Sequence, residues 1–388
     1  MPVSPENLAI YIHWPFCLSK CPYCDFNSHV RDRIDHKAWA DALIRELDHY
    51  RELSGPRTIT SVFFGGGTPS LMTPATIRRL LDRISQKWAM APDIEITLEA
   101  NPTSVEAGKF RDFSSAGINR LSLGIQALND ADLKALGREH NVKEAHGAID
   151  LSQKYFARTS FDLIYARMGQ SPEDWARELR QALTMATGHL SLYQLTIERG
   201  TAFYGARAKG RIILPDDDMA ADMYELTGQI CADHGLPGYE ISNYAVPGQE
   251  SRHNLAYWTY ADYIGIGPGA HGRLNIDGTH FGFSQDRNPE KWLKNVTKSG
   301  HATDQKQPLT VQAMAEEMIM TGLRLTKGLE LASFESRVGR KVDNFIDQPR
   351  LQRLFELGYM EMDDHHLRAT PQGLPLLNGL LAQILAHR

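Results

Sequence analysis

The sequence of 388 residues contains only four cysteines, and its charges nearly balance, with 42 lysines and arginines against 47 aspartates and glutamates. So few thiols make a poor disulfide framework for a chain of this size. The net charge of −5 provides no basic surface, so we expect no nucleic-acid partner. No apolar run is long enough to cross a bilayer, and we therefore expect no integral membrane segment.

The start of the chain, MPVSPENLAIYIHWPFC, has no basic stretch before a long apolar one, so it does not resemble a secretory signal. We therefore expect a cytoplasmic protein, in a compartment whose reducing conditions preserve free thiols. The length suggests two domains, which we place at residues 1–240 and 241–388.

Three of the four cysteines lie in one run, C-x-x-x-C-x-x-C, formed by Cys17, Cys21 and Cys24. Three thiolates can hold three irons of a 4Fe–4S cluster, which normally takes four cysteines, so the fourth iron would stay open to a small molecule. A mixed zinc site with His13 or His29 remains an alternative, although no second cysteine doublet is present. We assign no role to the fourth cysteine, Cys231.

Short β-branched runs alternate with helical patterns over the first half of the chain, which indicates an α/β fold with a parallel sheet. Six such repeats fit either a doubly wound sheet or an incomplete barrel. Strands are predicted at Leu8–His13, Thr58–Phe64, Ile94–Glu99, Arg120–Ile125, Ser160–Ile164 and Leu190–Thr196. Helices are predicted at Ala38–Leu53, Ala75–Lys87, Val105–Ser114, Ala131–Leu136, Val142–Lys154, Pro172–Met185 and Met219–His234.

Polar or glycine-rich groups stand at the ends of the first five predicted strands. The cysteine run follows the first strand, Gly65–Pro69 follows the second, and Glu99, Gln126 and Asp162 lie at the ends of the next three. The carboxyl ends of parallel strands meet at one edge of a sheet or barrel, where active sites are found. We therefore expect these groups to form one site.

The last hundred or so residues indicate a small, mostly helical domain. Within it, the helical pattern Leu351–Leu357, the Gly358 turn and the segment Leu367–Gly373 are similar to a helix-turn-strand unit of the winged-helix kind. Because this unit has no basic face, we interpret it as a packing module.

The motif YIHWPFC at residues 11–17, the cysteine run and the motif FGGGTP at residues 64–69 resemble the radical S-adenosylmethionine (SAM) superfamily, more narrowly its branch of oxygen-independent coproporphyrinogen III oxidase-like proteins. The resemblance implies a partial (β/α)6 TIM-like barrel with a smaller, mostly helical C-terminal domain. It also implies a 4Fe–4S cluster on Cys17, Cys21 and Cys24, with SAM chelating the open iron.

The same resemblance implies a SAM site that can be matched position by position. Glycine backbone groups would approach the ligand closely, Arg138 would offer a fork to the methionyl carboxylate, and Asp162 would accept from ribose hydroxyls. The sequence leaves open whether the bound SAM is cleaved to a radical, and therefore whether the chain is an enzyme. The implied residues are Tyr11, Gly66, Gly67, Thr68, Glu99, Gln126, Arg138 and Asp162.

Two features separate the chain from the oxidases. The oxidases carry a further cysteine two residues after the last cluster ligand, and here that position is Phe26. The segment RHNLAYW at residues 252–258 is similar to the HNxxYW signature of the HemW family of haem chaperones. This implies that His253 is an axial haem ligand and that the following Tyr and Trp contact the macrocycle. His253 could instead bond to the backbone, and His271 is a second candidate ligand.

The function that the sequence favours is therefore a haem chaperone with little or no oxidase activity. It would bind a 4Fe–4S cluster, SAM and haem, and would deliver haem to haem-requiring client enzymes such as respiratory oxidoreductases. The alternative is an oxygen-independent coproporphyrinogen III oxidase, which decarboxylates its substrate by radical chemistry. A homodimer is compatible with either function.

Overall fold

A computed structural model describes residues 6–385. The outer ends of the two predicted domains, residues 1–5 and 386–388, lie outside the described residues. The described chain contains the strands β1 (Asn7–Trp14), β2 (Phe16–Cys17), β3 (His29–Val30), β4 (Thr58–Gly66), β5 (Ala89–Ala100), β6 (Arg120–Gln126), β7 (Arg158–Tyr165), β8 (His189–Gln194), β9 (Asn243–Ala245), β10 (Tyr263–Ile266), β11 (His271–Ile276), β12 (Thr279–Gln285), β13 (Thr303–Pro308), β14 (Leu329–Glu330), β15 (Met360–Met362) and β16 (His366–Ala369).

Most helices begin where the sequence places a polar capping residue, because its side chain accepts a hydrogen bond from a free N–H group of the first turn. Thr73 and Ser171 do so, and each is followed by a proline in the first helical position. The helices are α1 (His36–Ser54), α2 (Pro74–Lys87), α3 (Ser104–Ala107), α4 (Phe110–Ala116), α5 (Asp130–Ala135), α6 (Val142–Tyr155), α7 (Pro172–Met185), α8 (Ala202–Ala208), α9 (Asp217–Asp233), α10 (Arg252–Trp258), α11 (Pro289–Ser299), α12 (Val311–Gly322), α13 (Leu331–Val338), α14 (Gln348–Glu356) and α15 (Leu377–Ile384).

The main sheet has eleven strands in the order β13-β12-β11-β10-β1-β4-β5-β6-β7-β8-β9. Its centre consists of the six predicted strands, β1 and β4 to β8, which are all parallel and follow chain order. The α/β prediction is therefore confirmed. Late in the chain, β10 returns to pair in parallel with β1, and this places residues 263–266 beside the first strand.

The predicted element boundaries lie within two residues of the observed ones, apart from the start of β5 and the division of one predicted helix. β5 begins at Ala89, five residues early, because its start continues past a register shift in the pairing with β4. β8 ends at Gln194, two residues before the predicted end. The predicted helix Val105–Ser114 is divided into α3 and α4, which flank Gly108 and Lys109.

A second hydrophobic cluster contains Tyr260 and buried side chains between Met314 and Ile384. It includes α14, which is followed by a turn at Gly358 and then by β15 and β16. These two strands belong to the small antiparallel sheet β14-β16-β15, so the helix-turn-strand unit is present. Strands β9 to β13 lie after residue 240 but continue the main sheet as far as Pro308. The division at residue 240 stays a prediction.

Within residues 6–385, none of the helices combines the length and the apolar character that a bilayer crossing needs.

Glu46 on α1 is fully buried and forms hydrogen bonds with residues that are distant from it in the sequence. Its carboxylate accepts hydrogen bonds from the backbone N–H of Gly267 (2.7 Å), the backbone N–H of Ala302 (3.1 Å) and the indole N–H of Trp292 (3.1 Å). Burial raises the pKa of Glu46 to about 7, although these donors act in the opposite direction.

Because this pKa is higher in the folded state than in the unfolded chain, Glu46 stabilises the fold fully only at low pH, and its contribution is lost as the pH rises through about 7. We expect the free energy of unfolding to fall by up to roughly 3 kcal/mol from this group between pH 4.5 and 8. In a Glu46→Gln variant this part of the pH dependence should disappear. Urea denaturation at four pH values would measure it.

Glu52→Gln is the matched control, because Glu52 is exposed on the same helix. Its stability should follow that of the unmodified protein at every pH. Parallel curves for Glu46→Gln and the unmodified protein would contradict the prediction.

Candidate functional site

The cysteine loop runs from β2 to β3, and these two short strands pair with each other to bring its ends together. Asn27 fixes the far end of the loop, because its side-chain amide donates to the carbonyl of Pro268 (2.9 Å) and to that of Arg287 (3.0 Å). The backbone carbonyl oxygen of Asn27 lies 2.9 Å from Nε2 of His13 on β1. The loop is thus held between the first strand and the segment that follows β10.

The three thiols each lie near a different polar side chain: Cys17 Sγ is 3.4 Å from Thr68 Oγ1, Cys21 Sγ is 3.4 Å from Arg138 Nη1, and Cys24 Sγ is 3.9 Å from Ser28 Oγ. Burial raises the pKa of Cys17 and of Cys24, so iron binding would have to displace the thiol protons. In the described part of the chain, no three His, Cys, Asp or Glu side chains converge on a position for one metal ion.

The thiols open onto a cavity of about 370 Å³ at the carboxyl edge of the parallel strands, which we call the cluster cavity. Ten of the twelve predicted site residues line it, nine of them from the strand-end argument and Arg138 from the family resemblance. They are Cys17, Cys21, Cys24, Gly66, Gly67, Thr68, Glu99, Gln126, Arg138 and Asp162.

The end of β4 packs so closely against β1 and β2 that only glycine fits. A Cβ atom on Gly66 would lie 2.6 Å from the His13 ring, and one on Gly67 would lie 2.7 Å from the carbonyl oxygen of Phe16. Gly66 also has a φ of +114°, which side chains disfavour. Its N–H group donates to Glu99 (3.3 Å), so the glycine turn and the third strand meet at the cavity wall.

Two carboxyl groups lie in the interior of the cavity. Burial, together with the neighbouring Asp162, raises the pKa of Glu99 to about 8. Burial likewise raises the pKa of Asp162 to about 6, while Ser191 and nearby arginines act against it. A cationic ligand such as a sulfonium would favour the ionised form of both groups.

Arg138 lies between the cysteine loop and the strand ends. Its Nη2 donates to Asn101 Oδ1 (2.7 Å) and to the carbonyl of Gly124 (2.8 Å), and its Nη1 is the donor near Cys21. Its Nε is buried and has no partner among the described residues. Three thiols, an arginine with an unused donor and two partly buried carboxyls on one cavity fit a cluster with a zwitterionic, positively charged ligand.

Sequence reasoning missed several residues of this cavity. Asn101 donates to Thr68 (3.3 Å) and accepts from Arg138, so it connects the glycine turn with the arginine. It is the first residue after β5, and the strand-end rule that selected Glu99 would have found it. Tyr193 lies near the end of the sixth parallel strand, which the same rule also covers.

Tyr11 and His253, the other two predicted site residues, do not line the cluster cavity. Tyr11 faces a neighbouring cavity of about 770 Å³, which we call the aromatic cavity after Tyr257, Trp258, Tyr260 and Tyr263 on its wall. The hydroxyl of Tyr11 bonds to Nδ1 of His13 (3.0 Å), and burial raises its pKa. The two cavities adjoin, because the residues that line both are Phe26, Gly66 and Glu99.

His253 lines neither cavity and is only 1% exposed. Its Nδ1 lies 2.9 Å from the hydroxyl of Ser61, its Nε2 lies 2.8 Å from that of Tyr257, and its ring stacks on Phe63. Burial lowers its pKa to about 3, which keeps the ring neutral. Since both ring nitrogens are engaged, this arrangement leaves none for haem iron. The prediction that His253 is a haem ligand finds no support in this geometry.

Two family patterns match the chain. That of the Radical SAM superfamily matches residues 11–182, which cover the second half of β1, the cysteine loop and the parallel strands β4 to β7. That of the HemN C-terminal domain matches residues 309–376, which follow the last strand of the main sheet. The superfamily implies a 4Fe–4S cluster and SAM, which agrees with the residues that line the cluster cavity.

Similar proteins cover nearly the whole chain. It is 37% identical to the protein named Heme chaperone HemW from Escherichia coli, over 99% of this chain and 100% of that protein. It is also 37% identical to bovine radical S-adenosyl methionine domain-containing protein 1, mitochondrial, over 100% of this chain and 90% of the relative. Coproporphyrinogen III oxidase (HemN) from E. coli shares the fold, with a TM-score of 0.81 at 24% identity over 98% and 90% of the two chains. Taken with the HNxxYW segment, these likenesses show that the chain belongs to the HemW family, within the radical SAM superfamily.

Proposed function

We propose that the chain is a haem chaperone, which holds a 4Fe–4S cluster, SAM and haem and passes the haem to haem-dependent enzymes. The observation that carries the proposal is the 37% identity to a protein named Heme chaperone HemW over the full length of both chains. Such a match covers the residues that line both cavities, and is therefore more specific than a shared fold.

In this proposal Cys17, Cys21 and Cys24 hold the cluster, and the rest of the cluster cavity orients SAM. Arg138 would donate its unused N–H to the methionyl carboxylate, while Glu99 and Asp162 would accept from the amine and the ribose. The cluster with bound SAM supplies one-electron chemistry. The protein contributes a partly closed site whose glycine turn fixes the ligand's approach to the loop.

Phe26 supports the chaperone over the oxidase. It stands where the oxidases carry a further cysteine, and its side chain is 60% exposed where the two cavities adjoin. An apolar ring at this position can contact a flat ligand but cannot supply a thiol.

The client enzymes, the location and the assembly are parts of the same proposal. We propose respiratory haem enzymes as clients, a cytoplasmic location and a homodimer. The need for three reduced thiols supports a reducing compartment. The relatives from cattle and mouse carry the word mitochondrial in their names, so the location differs between members of the family. Light scattering of the purified protein would measure the assembly.

The chaperone and the oxidase can be separated with anaerobic protein that carries a reconstituted cluster. Given haem, we expect uptake of about one haem per chain and its transfer to an apo-cytochrome. Given coproporphyrinogen III, SAM and a reductant, we expect less than one turnover to protoporphyrinogen, measured by porphyrin fluorescence after oxidation. E. coli HemN under the same conditions is the positive control. Multiple turnovers by this chain would overturn the proposal.

A further inference from the structure

The aromatic cavity lies between the main sheet and α12 of the second hydrophobic cluster, and the cluster cavity does not account for it. At about 770 Å³ it falls within the range of roughly 300–1,000 Å³ that small-molecule sites occupy. Tyr257 and Trp258 of the HNxxYW segment line it, whereas His253 of the same segment lies behind Tyr257. The motif therefore contributes its flat apolar surface to a cavity without contributing its histidine.

Two histidines line this cavity. His13 is buried, and its ring nitrogens are engaged by the hydroxyl of Tyr11 (3.0 Å) and the carbonyl of Asn27 (2.9 Å). His271, at the start of β11, is exposed, and within residues 6–385 its imidazole makes no hydrogen bond and no ion pair. Burial of part of the ring lowers the pKa of His271, as do the charges of Arg273 and Arg287, so the imidazole is neutral at pH 7.

The two arginines on the cavity wall, Arg273 and Arg287, differ in whether their guanidinium groups are already engaged. Arg273 lies two residues after His271 on β11, so both side chains project from the same face of the strand. Its guanidinium already makes two hydrogen bonds to Glu317 (2.8 and 2.7 Å). Arg287 is exposed, and no side-chain hydrogen bond or ion pair engages it in the described chain. It is therefore the cation available to an anionic group of a ligand.

We propose that the aromatic cavity binds the haem macrocycle, that His271 ligates its iron, and that Arg287 pairs with a propionate. The inference deepens the proposed chaperone function and rests on it. In this arrangement His253 is a positioning residue, because its bond to the Tyr257 hydroxyl holds that ring in the cavity wall. The aromatic side chains contact the macrocycle, and the open imidazole supplies the neutral nitrogen that haem iron takes.

The test uses the full chain with its cluster, titrated with ferric haem and followed by EPR and resonance Raman, which resolve haem from cluster signals. For the unmodified protein we expect one haem per chain, with the spectroscopic signature of a histidine ligand. In His271→Ala we expect this signature to be lost and the affinity for haem to be at least about tenfold weaker. Added imidazole should restore the signature in this variant. His365→Ala, at an exposed histidine outside the cavity, should match the unmodified protein. In His253→Gln we expect the same ligand signature with weaker binding.

The outcomes are distinguishable. If the unmodified protein takes up no haem, the proposed function fails and this inference falls with it. If it takes up haem but His271→Ala keeps the signature while His253→Gln loses it, His253 is the ligand, and only this inference is overturned.

Arg287 is tested separately: Arg287→Glu should weaken the binding of haem but not of haem dimethyl ester, which has no free propionates. An equal loss for both ligands would remove Arg287 from the site.

Discussion

Cys21→Ala is expected to abolish assembly of the 4Fe–4S cluster, and Cys17→Ala and Cys24→Ala should do the same. Each thiol lies on the same cavity wall and would supply the only protein ligand to one iron, so two remaining cysteines cannot hold the cluster. Iron and sulfide per chain after anaerobic reconstitution, with the EPR signal of the reduced cluster, would measure the loss. We expect a fall from about four irons to a residual level.

Cys231→Ala is the matched control. Cys231 is fully buried in α9 and does not line the cluster cavity, and burial raises its pKa to about 12. This variant should retain the full iron content, with at most a small loss of stability from the missing sulfur. Full cluster content in any of the three loop variants would contradict the assignment of that cysteine.

Glu99→Gln is expected to weaken SAM binding by roughly ten- to a hundredfold, because a bond between a carboxylate and a cationic group is replaced by a neutral one. The loss should depend on pH. With a pKa of about 8 in the folded protein, Glu99 is largely protonated at pH 6.5 and ionised at pH 9. The affinity of the unmodified protein should therefore rise over this range, while that of the variant stays flat.

Anaerobic calorimetry with cluster-loaded protein would measure both affinities. Glu198→Gln is the control, since Glu198 is an exposed carboxylate at the rim of the same cavity. It should alter neither the affinity nor its pH dependence. If Glu99→Gln retains the pH dependence of the unmodified protein, another group is responsible for it.

The cluster cavity could be predicted because its residues follow a rule that depends only on local sequence. Each parallel strand is recognisable in the sequence from its β-branched run. The residues at the carboxyl ends of all these strands lie at the same edge of the sheet. This reasoning placed Glu99 and Gln126 correctly without any knowledge of long-range packing. Asp162 illustrates its limit: β7 extends to Tyr165, so the residue lies within the strand and not at its end, although it still lines the cavity.

The aromatic cavity could not be predicted in the same way. Most of its walls come from β1, from α10 to β11 and from α12, which are distant in sequence, and the pairing of β10 with β1 helps to bring them together. The environment of His253 has the same origin. The motif marks the residue, but its two hydrogen bonds depend on Ser61 of β4, 192 positions earlier, and on the next helical turn. A motif therefore identifies a region, and packing decides which side chain faces the ligand.

Asn27 connects the cysteine loop of the cluster cavity with the wall of the aromatic cavity. Its side chain spans from the end of the cysteine loop to Pro268 and Arg287, on either side of the strand pair that carries His271. Through these two hydrogen bonds, a shift of either carbonyl would be transmitted to the cysteine loop, and a shift of the loop would be transmitted to the carbonyls. By thermodynamic linkage the two occupancies affect each other equally. If Asn27 couples the two cavities in this way, the affinity of the aromatic cavity for haem would differ between protein with an assembled cluster and protein that has lost its iron.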